Sequence, residues 1–76
     1  MQIIKEGQLR GAFKGFKNNE TVFEFVGGGK WRQRNYHYYY HYAYMPSARV
    51  VDKNGSFYIE VDGVDDSVEV VRYRGK

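Results

Sequence analysis

The sequence predicts an all-β domain, a small antiparallel barrel of five or six strands in the SH3-like or OB-like size range. Three observations carry this expectation. The chain has 76 residues, 42% of them hydrophobic, which suffices for one core: a chain of this length hides roughly 60% of the surface its unfolded form exposes. The 3.6-residue apolar period of a helix is absent, while aromatic and β-branched residues abound. Turn signals recur about every ten residues, the spacing of sandwiches and small barrels. With no cysteine available for cross-linking, closing the sheet on itself is an economical way to remove exposed edges.

Each element follows from local pattern. After a short apolar pair, Ile3-Ile4, the first strand is read over Leu9 to Phe16, where Leu9, Gly11, Phe13 and Gly15 alternate with Arg10, Ala12, Lys14 and Phe16. Two glycines on one face predict a bend, or a side chain from elsewhere lying across them. Lys17-Asn18-Asn19-Glu20 is a turn. Thr21 to Val26 returns as a strand with Thr21, Phe23 and Phe25 on one face. Gly27-Gly28-Gly29 closes that hairpin, because glycine accepts the positive φ of tight turns. Lys30 to Met45 then runs uninterrupted to Pro46. At about 3.3 Å per residue it would span roughly 50 Å if straight, so it must bend, bulge or divide in two. Ala48 to Val51 and Ser56 to Val61 flank a strong Asn54-Gly55 hairpin turn, with Phe57, Ile59 and Val61 inward. Asp62-Gly63 and Asp65-Asp66 compete for the next turn, and Ser67 to Tyr73 ends the pattern with Val68 and Val70 on one face. One domain over 1–76 is expected, with its ordered part over about 8–73.

The abnormal feature is tyrosine. Eight occur in the chain and six fall between Tyr36 and Tyr44. At period two, Lys30, Arg32, Arg34, Tyr36, Tyr38, Tyr40, Tyr42 and Tyr44 share one face, opposite Trp31, Gln33, Asn35, His37, Tyr39, His41 and Ala43. An unbroken phase would expose cations followed by a tyrosine ladder. Bases stack on such rings while Lys and Arg track phosphates, but the opposite face would then bury several polar groups that need partners. A bulge near Arg34-Asn35 would instead slip the phase by one. Trp31, Gln33 and the even-numbered tyrosines would then form the core, the preferred reading because buried aromatic rings contribute so much apolar area. Five tyrosines still exceed one small core, and the surplus suits a groove or a subunit interface.

Charge is distributed unevenly. The net charge is +3, yet no Asp or Glu occurs from Phe25 to Val51, a window holding Lys30, Arg32, Arg34 and Arg49. Asp52 to Val71 is acidic in turn. Such asymmetry makes a field an anionic partner can feel, unless the two segments pair and neutralise each other. Met1 to Gly7 lacks the basic-then-apolar pattern of a secretion signal, and no apolar run approaches the roughly 18 residues of a membrane helix. A cytoplasmic protein with no membrane partner is expected.

No catalytic constellation is read. His37 and His41 lie roughly 13 Å apart on a strand and would not share a metal. Gly28-Gly29-Lys30 ends like a phosphate loop, but Trp31 stands where that motif needs Ser or Thr. Ser47, Ser56 and Ser67 sit at turns or strand ends without a histidine signature. Asp62, Asp65 and Asp66 lack calcium-loop spacing. No metal, no cofactor and no enzymatic activity are expected; a site built between subunits is the remaining route to catalysis.

Two resemblances add to this. Lys14-Gly15-Phe16 followed by Val22-Phe23-Glu24-Phe25 is similar to the aromatic strands of cold-shock barrels, without their glycine-phenylalanine repeat; the similarity implies single-strand binding. The order Gly11-x-Phe13-x-Gly15-Phe16, Thr21-Val22-Phe23, and Trp31-x-Gln33-x-x-Tyr36-x-Tyr38-x-Tyr40-x-Tyr42-x-Tyr44-x-Pro46 resembles a small bacterial all-β domain of no established activity. That domain occurs alone or as a terminal module of longer proteins. The resemblance covers Gly11 to Tyr73, including the Val61-Asp62-Gly63 turn. It departs at Gly27-Gly28-Gly29, where Asn-Gly is usual. It implies a self-contained module and no site residues.

The functional expectation is a non-enzymatic binding module. Its leading ligand is single-stranded nucleic acid, with Lys30, Arg32, Arg34 and Arg49 at phosphates and Trp31 and Tyr39 stacking, flanked by His37 and His41. The alternative is a protein-interaction or homo-oligomerising module that buries the surplus tyrosine face.

Overall fold

Eight strands and no helix make up residues 2–74, the part of the chain that the computed structural model describes. Met1, Gly75 and Lys76, the ends of the expected 1–76 domain, lie outside the described residues. In chain order the strands are β1 (Gln2–Gln8), β2 (Ala12–Phe13), β3 (Val22–Glu24), β4 (Lys30–Gln33), β5 (Ala43–Tyr44), β6 (Ser47–Lys53), β7 (Ser56–Val61) and β8 (Ser67–Arg72). Six form one antiparallel sheet in the order β1-β6-β7-β8-β4-β3, and β2 pairs with β5 in a second, two-stranded sheet.

The hairpins arise where their turn residues permit. Asn54 and Gly55 both take positive φ, 56° and 89°, the pairing that matches strand twist in a two-residue turn. The Asp52 carboxylate accepts the Gly55 N–H at 2.9 Å. Between β7 and β8 the chain turns at Asp62-Gly63, where Val64 N–H donates to the Val61 carbonyl. Asp66 acts one step later, accepting the Ser67 N–H.

One expected strand is not continuous, and the long Lys30 to Met45 segment divides in two, one of the outcomes expected for it. Leu9 to Phe16 divides: Leu9 makes a lone bridge to Phe25, the chain bends at Arg10-Gly11, β2 spans two residues, and Phe16 makes a second lone bridge to Tyr39. The cause is backbone conformation, since Gly11 and Gly15 have φ of 75° and 98°, outside the extended region. What lies across Gly15 is backbone, that of Tyr39 to His41, rather than a side chain. Lys30 to Met45 divides too, into β4 and β5, and Arg34 to Tyr42 between them belongs to no strand. At the start of the chain, β1 is a full strand paired to β6 from Gln2↔Asp52 to Gln8↔Ser47, where the sequence showed only an apolar pair.

The core is phenylalanine, tryptophan and aliphatic. Leu9, Phe13, Phe16, Phe23, Phe25, Trp31, Ala48, Val50, Ile59, Val61, Val68 and Val70 form one buried cluster. Phe16 meets both Phe13 and Phe23 edge-on, at centroid distances of 5.8 and 5.9 Å, and Trp31 meets Phe57 likewise. Such rings prefer this geometry. They fill the space that the phase-slipped reading assigned to tyrosine.

The two edges of the large sheet touch at one point, where Arg10 N–H donates to Glu24 O and Val26 N–H to Gln8 O, both at 2.8 Å. No ladder extends from that point, and no closed barrel is found among the described residues. None of the described residues forms a helix long and apolar enough to cross a membrane.

Candidate binding surface

Gln33 organises the segment that follows it. Its side chain is fully buried, a position that a polar amide holds only with partners. Oε1 accepts the Lys17 N–H at 3.0 Å. Nε2 donates to the Asn35 and His37 carbonyls at 2.8 and 3.3 Å. One side chain thereby fastens the turn after β4 to the chain after Phe16. Further along, Phe16 and Tyr39 exchange backbone hydrogen bonds at 2.8 and 2.9 Å. Outside, the His37 ring Nε2–H donates to the Asp66 carboxylate. That bond, ahead of the Ser67 amide and the His37 charge, draws the Asp66 pKa below the ordinary carboxylate value.

With the backbone held from within, the tyrosines turn outward. Tyr36, Tyr38, Tyr40, Tyr42 and Tyr44 are 55–75% exposed, and Tyr39 is 37% exposed with its ring tilted against Phe16. This corrects the preferred expectation that a bulge at Arg34-Asn35 makes the even-numbered tyrosines core. Trp31 and Gln33 face inward and the even-numbered tyrosines outward, while Asn35 and His37 of the opposite face are exposed as well; the buried Gln33 is satisfied by its own hydrogen bonds. The exposed row is not a flat ladder, because Arg34 to Tyr42 is not a strand. This tyrosine strip is a run of individually exposed rings on an irregular segment.

Most of the nominated cations are engaged by other groups of the domain. Arg49, on β6, is enclosed by Glu6, Glu60 and Asp62 at 3.7, 3.6 and 2.7 Å; the Asp62 hydrogen bond is the main reason its pKa is raised. Arg34 stands 3.7 Å from Glu69, and Arg32 donates to the Asn19 carbonyl at 2.7 Å. Lys30 is half-buried on β4, opposite Glu24 in register. Trp31 is only 4% exposed, and the Arg72 guanidinium covers its ring at 5.0 Å, so it presents no face to a base. His37 is engaged by Asp66, and His41 is half-buried near Gly63. The basic window and the acidic segment thus meet as strand neighbours, β4 with β8 and β6 with β7.

Two cations on the segment that pairs with Tyr39 were not among the nominated residues. Lys14 and Lys17 are exposed on the stretch that lies along Tyr39, and among the described residues neither has a carboxylate within 4.0 Å. Lys14 had a signal in the cold-shock-like Lys14-Gly15-Phe16, whereas Lys17 was read only as part of a turn.

Comparison with known proteins returns no match to this chain, whether to a family, to a curated protein or to a solved structure.

Proposed function

We propose that this domain is a non-enzymatic binding module whose contact surface is the tyrosine strip, and that the surface is made for protein. The observation that carries the reading is the exposure of five tyrosines from Tyr36 to Tyr44 on a segment braced from inside. Tyrosine is enriched in interfaces because it offers a large apolar ring with a polar tip and few rotatable bonds. So many exposed aromatic rings on one short segment favour an interaction role. The partner is another protein or a second copy of this chain. The fold on which the strip sits is read as a partly open SH3-like or OB-like barrel, supported by the contact between sheet edges at Leu9 and Phe25. A cytoplasmic setting belongs to the same reading, supported by the lack of cysteine.

Single-stranded nucleic acid is the second reading. Lys14 and Lys17 beside Tyr39 favour it, in place of the carboxylate-bound Arg34 and Arg49. Two measurements separate the readings. Sedimentation velocity from micromolar to near-millimolar protein tests self-association, and fluorescence anisotropy with short single-stranded oligonucleotides is followed against salt. Association lost in a Y36S/Y38S/Y40S/Y42S variant, without salt-dependent oligonucleotide binding, supports the protein reading. Oligonucleotide binding that weakens steeply with salt replaces it with the second. A monomer at every concentration removes the self-association form.

A further inference from the structure

The two strand segments that leave the Leu9–Phe25 bridge do not stay together. As arms of one antiparallel hairpin they would continue to pair, but Gly11, with φ 75° and open space on its side-chain face, turns the first arm away. No Cα of β2 comes within 8 Å of a Cα of β3, against the roughly 4.8 Å between paired strands and the roughly 9.6 Å between strands with a third one inserted. The gap is an open groove of about 340 Å³ lined by Arg10, Ala12, Lys14, Val22, Phe23 and Glu24, among others. Phe13 and Phe23, with ring centroids 6.2 Å apart, lie across its base.

Both walls are strand edges. Among the described residues β3 pairs only with β4 and β2 only with β5. Gln33 N–H donates to Thr21 O and Phe25 N–H to Gly29 O, so strand alternation turns the peptide groups of Val22 away from β4 and into the groove. Met45 N–H donates to Gly11 O, which by the same alternation turns Ala12 and Lys14 away from β5 and toward Val22. Among the described residues no hydrogen bond reaches these three amides from the groove side.

We propose that this groove is the receptor site for an extended peptide strand of a partner protein, alternating apolar with acidic side chains. The strand hydrogen-bonds to Val22 on one side and to Ala12 and Lys14 on the other, running antiparallel to one wall and parallel to the other. Its apolar side chains rest on Phe13 and Phe23. Its acidic side chains face outward toward Lys14 and Lys17, which among the described residues have no carboxylate within 4.0 Å; of the groove's two acids, Glu24 is engaged by Arg10 at 3.5 Å and Glu20 belongs to the turn that follows Lys17. This is strand addition, in which the backbone provides attraction and alternate side chains select. The site is separate from the tyrosine strip, which lies beyond the other edge of β2, and stands whether or not that strip binds protein.

The probe is a capped octapeptide of alternating valine and glutamate, titrated into the ¹⁵N-labelled domain. Binding shifts the amide signals of Ala12, Lys14 and Val22 and slows their hydrogen exchange. Peptide N-methylated at alternate residues loses every donor that faces one wall of the groove and binds at least about tenfold more weakly, and a lysine-for-glutamate peptide is also weaker. Val22→Pro deletes the groove-facing donor at an edge position that accepts proline and lowers affinity to a similar degree; the N-methylated peptide makes the same test without touching the fold. Y36S/Y38S/Y40S/Y42S leaves peptide affinity unchanged. The proposal is overturned if saturating peptide leaves the three amides unmoved, if the N-methylated peptide binds equally well, or if the shifts fall on Tyr36 to Tyr44 instead.

Discussion

The Tyr39 carbonyl oxygen occupies the space that a side chain at residue 15 would need: a Cβ on Gly15 would fall 1.9 Å from it and 2.9 Å from the His41 nitrogen. The crossing of these two segments therefore depends on glycine twice, through this contact and through φ of 98°. Gly15→Ala is expected to break the Phe16–Tyr39 bridge and destabilise the domain by at least about 1–3 kcal/mol. Gly11→Ala meets no neighbour and bears only the backbone cost, about 1 kcal/mol. Urea unfolding of both variants ranks them; equal losses would show that the contact at Gly15 is not what matters.

Gln33 is the polar keystone of the tyrosine segment. Gln33→Ala leaves the Lys17 N–H and two carbonyls without their partner and opens a cavity, at a cost of about 2–4 kcal/mol. Gln33→Glu keeps an acceptor for Lys17 but, when ionised, has no donor for the Asn35 and His37 carbonyls. Burial raises the folded-state pKa of such a carboxyl. Its penalty is thus smallest below the unfolded carboxyl pKa and grows as pH rises through the folded one. Thermal melts of this variant from pH 3 to 8, set against the wild type, read that slope.

The His37–Asp66 bond has a pH signature of opposite sign. Because the Asp66 pKa is lowered on folding, its stabilisation is fully present above the unfolded carboxyl pKa and is lost as pH falls through the folded value. Both side chains are partly exposed, so the contribution is small. The Asp66 carboxyl carbon, followed by NMR, should titrate below the usual range and move back toward it in His37→Phe. An unchanged midpoint would mean the bond is not populated in solution.

Arg49 is assigned to stability rather than to ligand binding. It ties β1, β6 and β7 together through Glu6, Glu60 and Asp62. Arg49→Met should cost about 1 kcal/mol, as for a partly exposed ion-pair network, and leave any oligonucleotide affinity unaltered. A loss of affinity at unchanged thermal midpoint would return Arg49 to the binding surface.

The tyrosine strip makes the converse prediction. Each of Tyr36, Tyr38, Tyr40 and Tyr42 can be changed to serine within about 0.5 kcal/mol, the ordinary range for surface sites, whereas Phe16→Ala should cost about 3–5 kcal/mol. Chemical denaturation distinguishes a surface ring from a core ring directly.

Features set by neighbours along the chain were legible from residue order. Asn54-Gly55 demanded a hairpin because both positions take positive φ, and the alternation of Ile59 with Val61 and of Val68 with Val70 marked the inward faces of β7 and β8. Both phase readings put Trp31 and Gln33 inward, and the burial of Trp31 overrules the stacking role expected of it. The tyrosines could not be placed this way. Their exposure depends on Gln33 finding Lys17, on Gly15 admitting Tyr39, and on phenylalanines from β2 and β3 and from the bridging segments having already filled the core. The separation of β2 from β3 was equally hidden, since a hairpin pattern at Leu9 to Val26 does not say that Gly11 will open it. Local sequence determined the Asn54-Gly55 turn and the inward faces of β7 and β8, through steric preferences within a few residues, but neither β1 nor the phase of the tyrosine segment. The wet face, the pairing of the cations and the open groove were decided by tertiary structure, because each depends on which distant group reaches a buried amide, a carboxylate or a volume of core first.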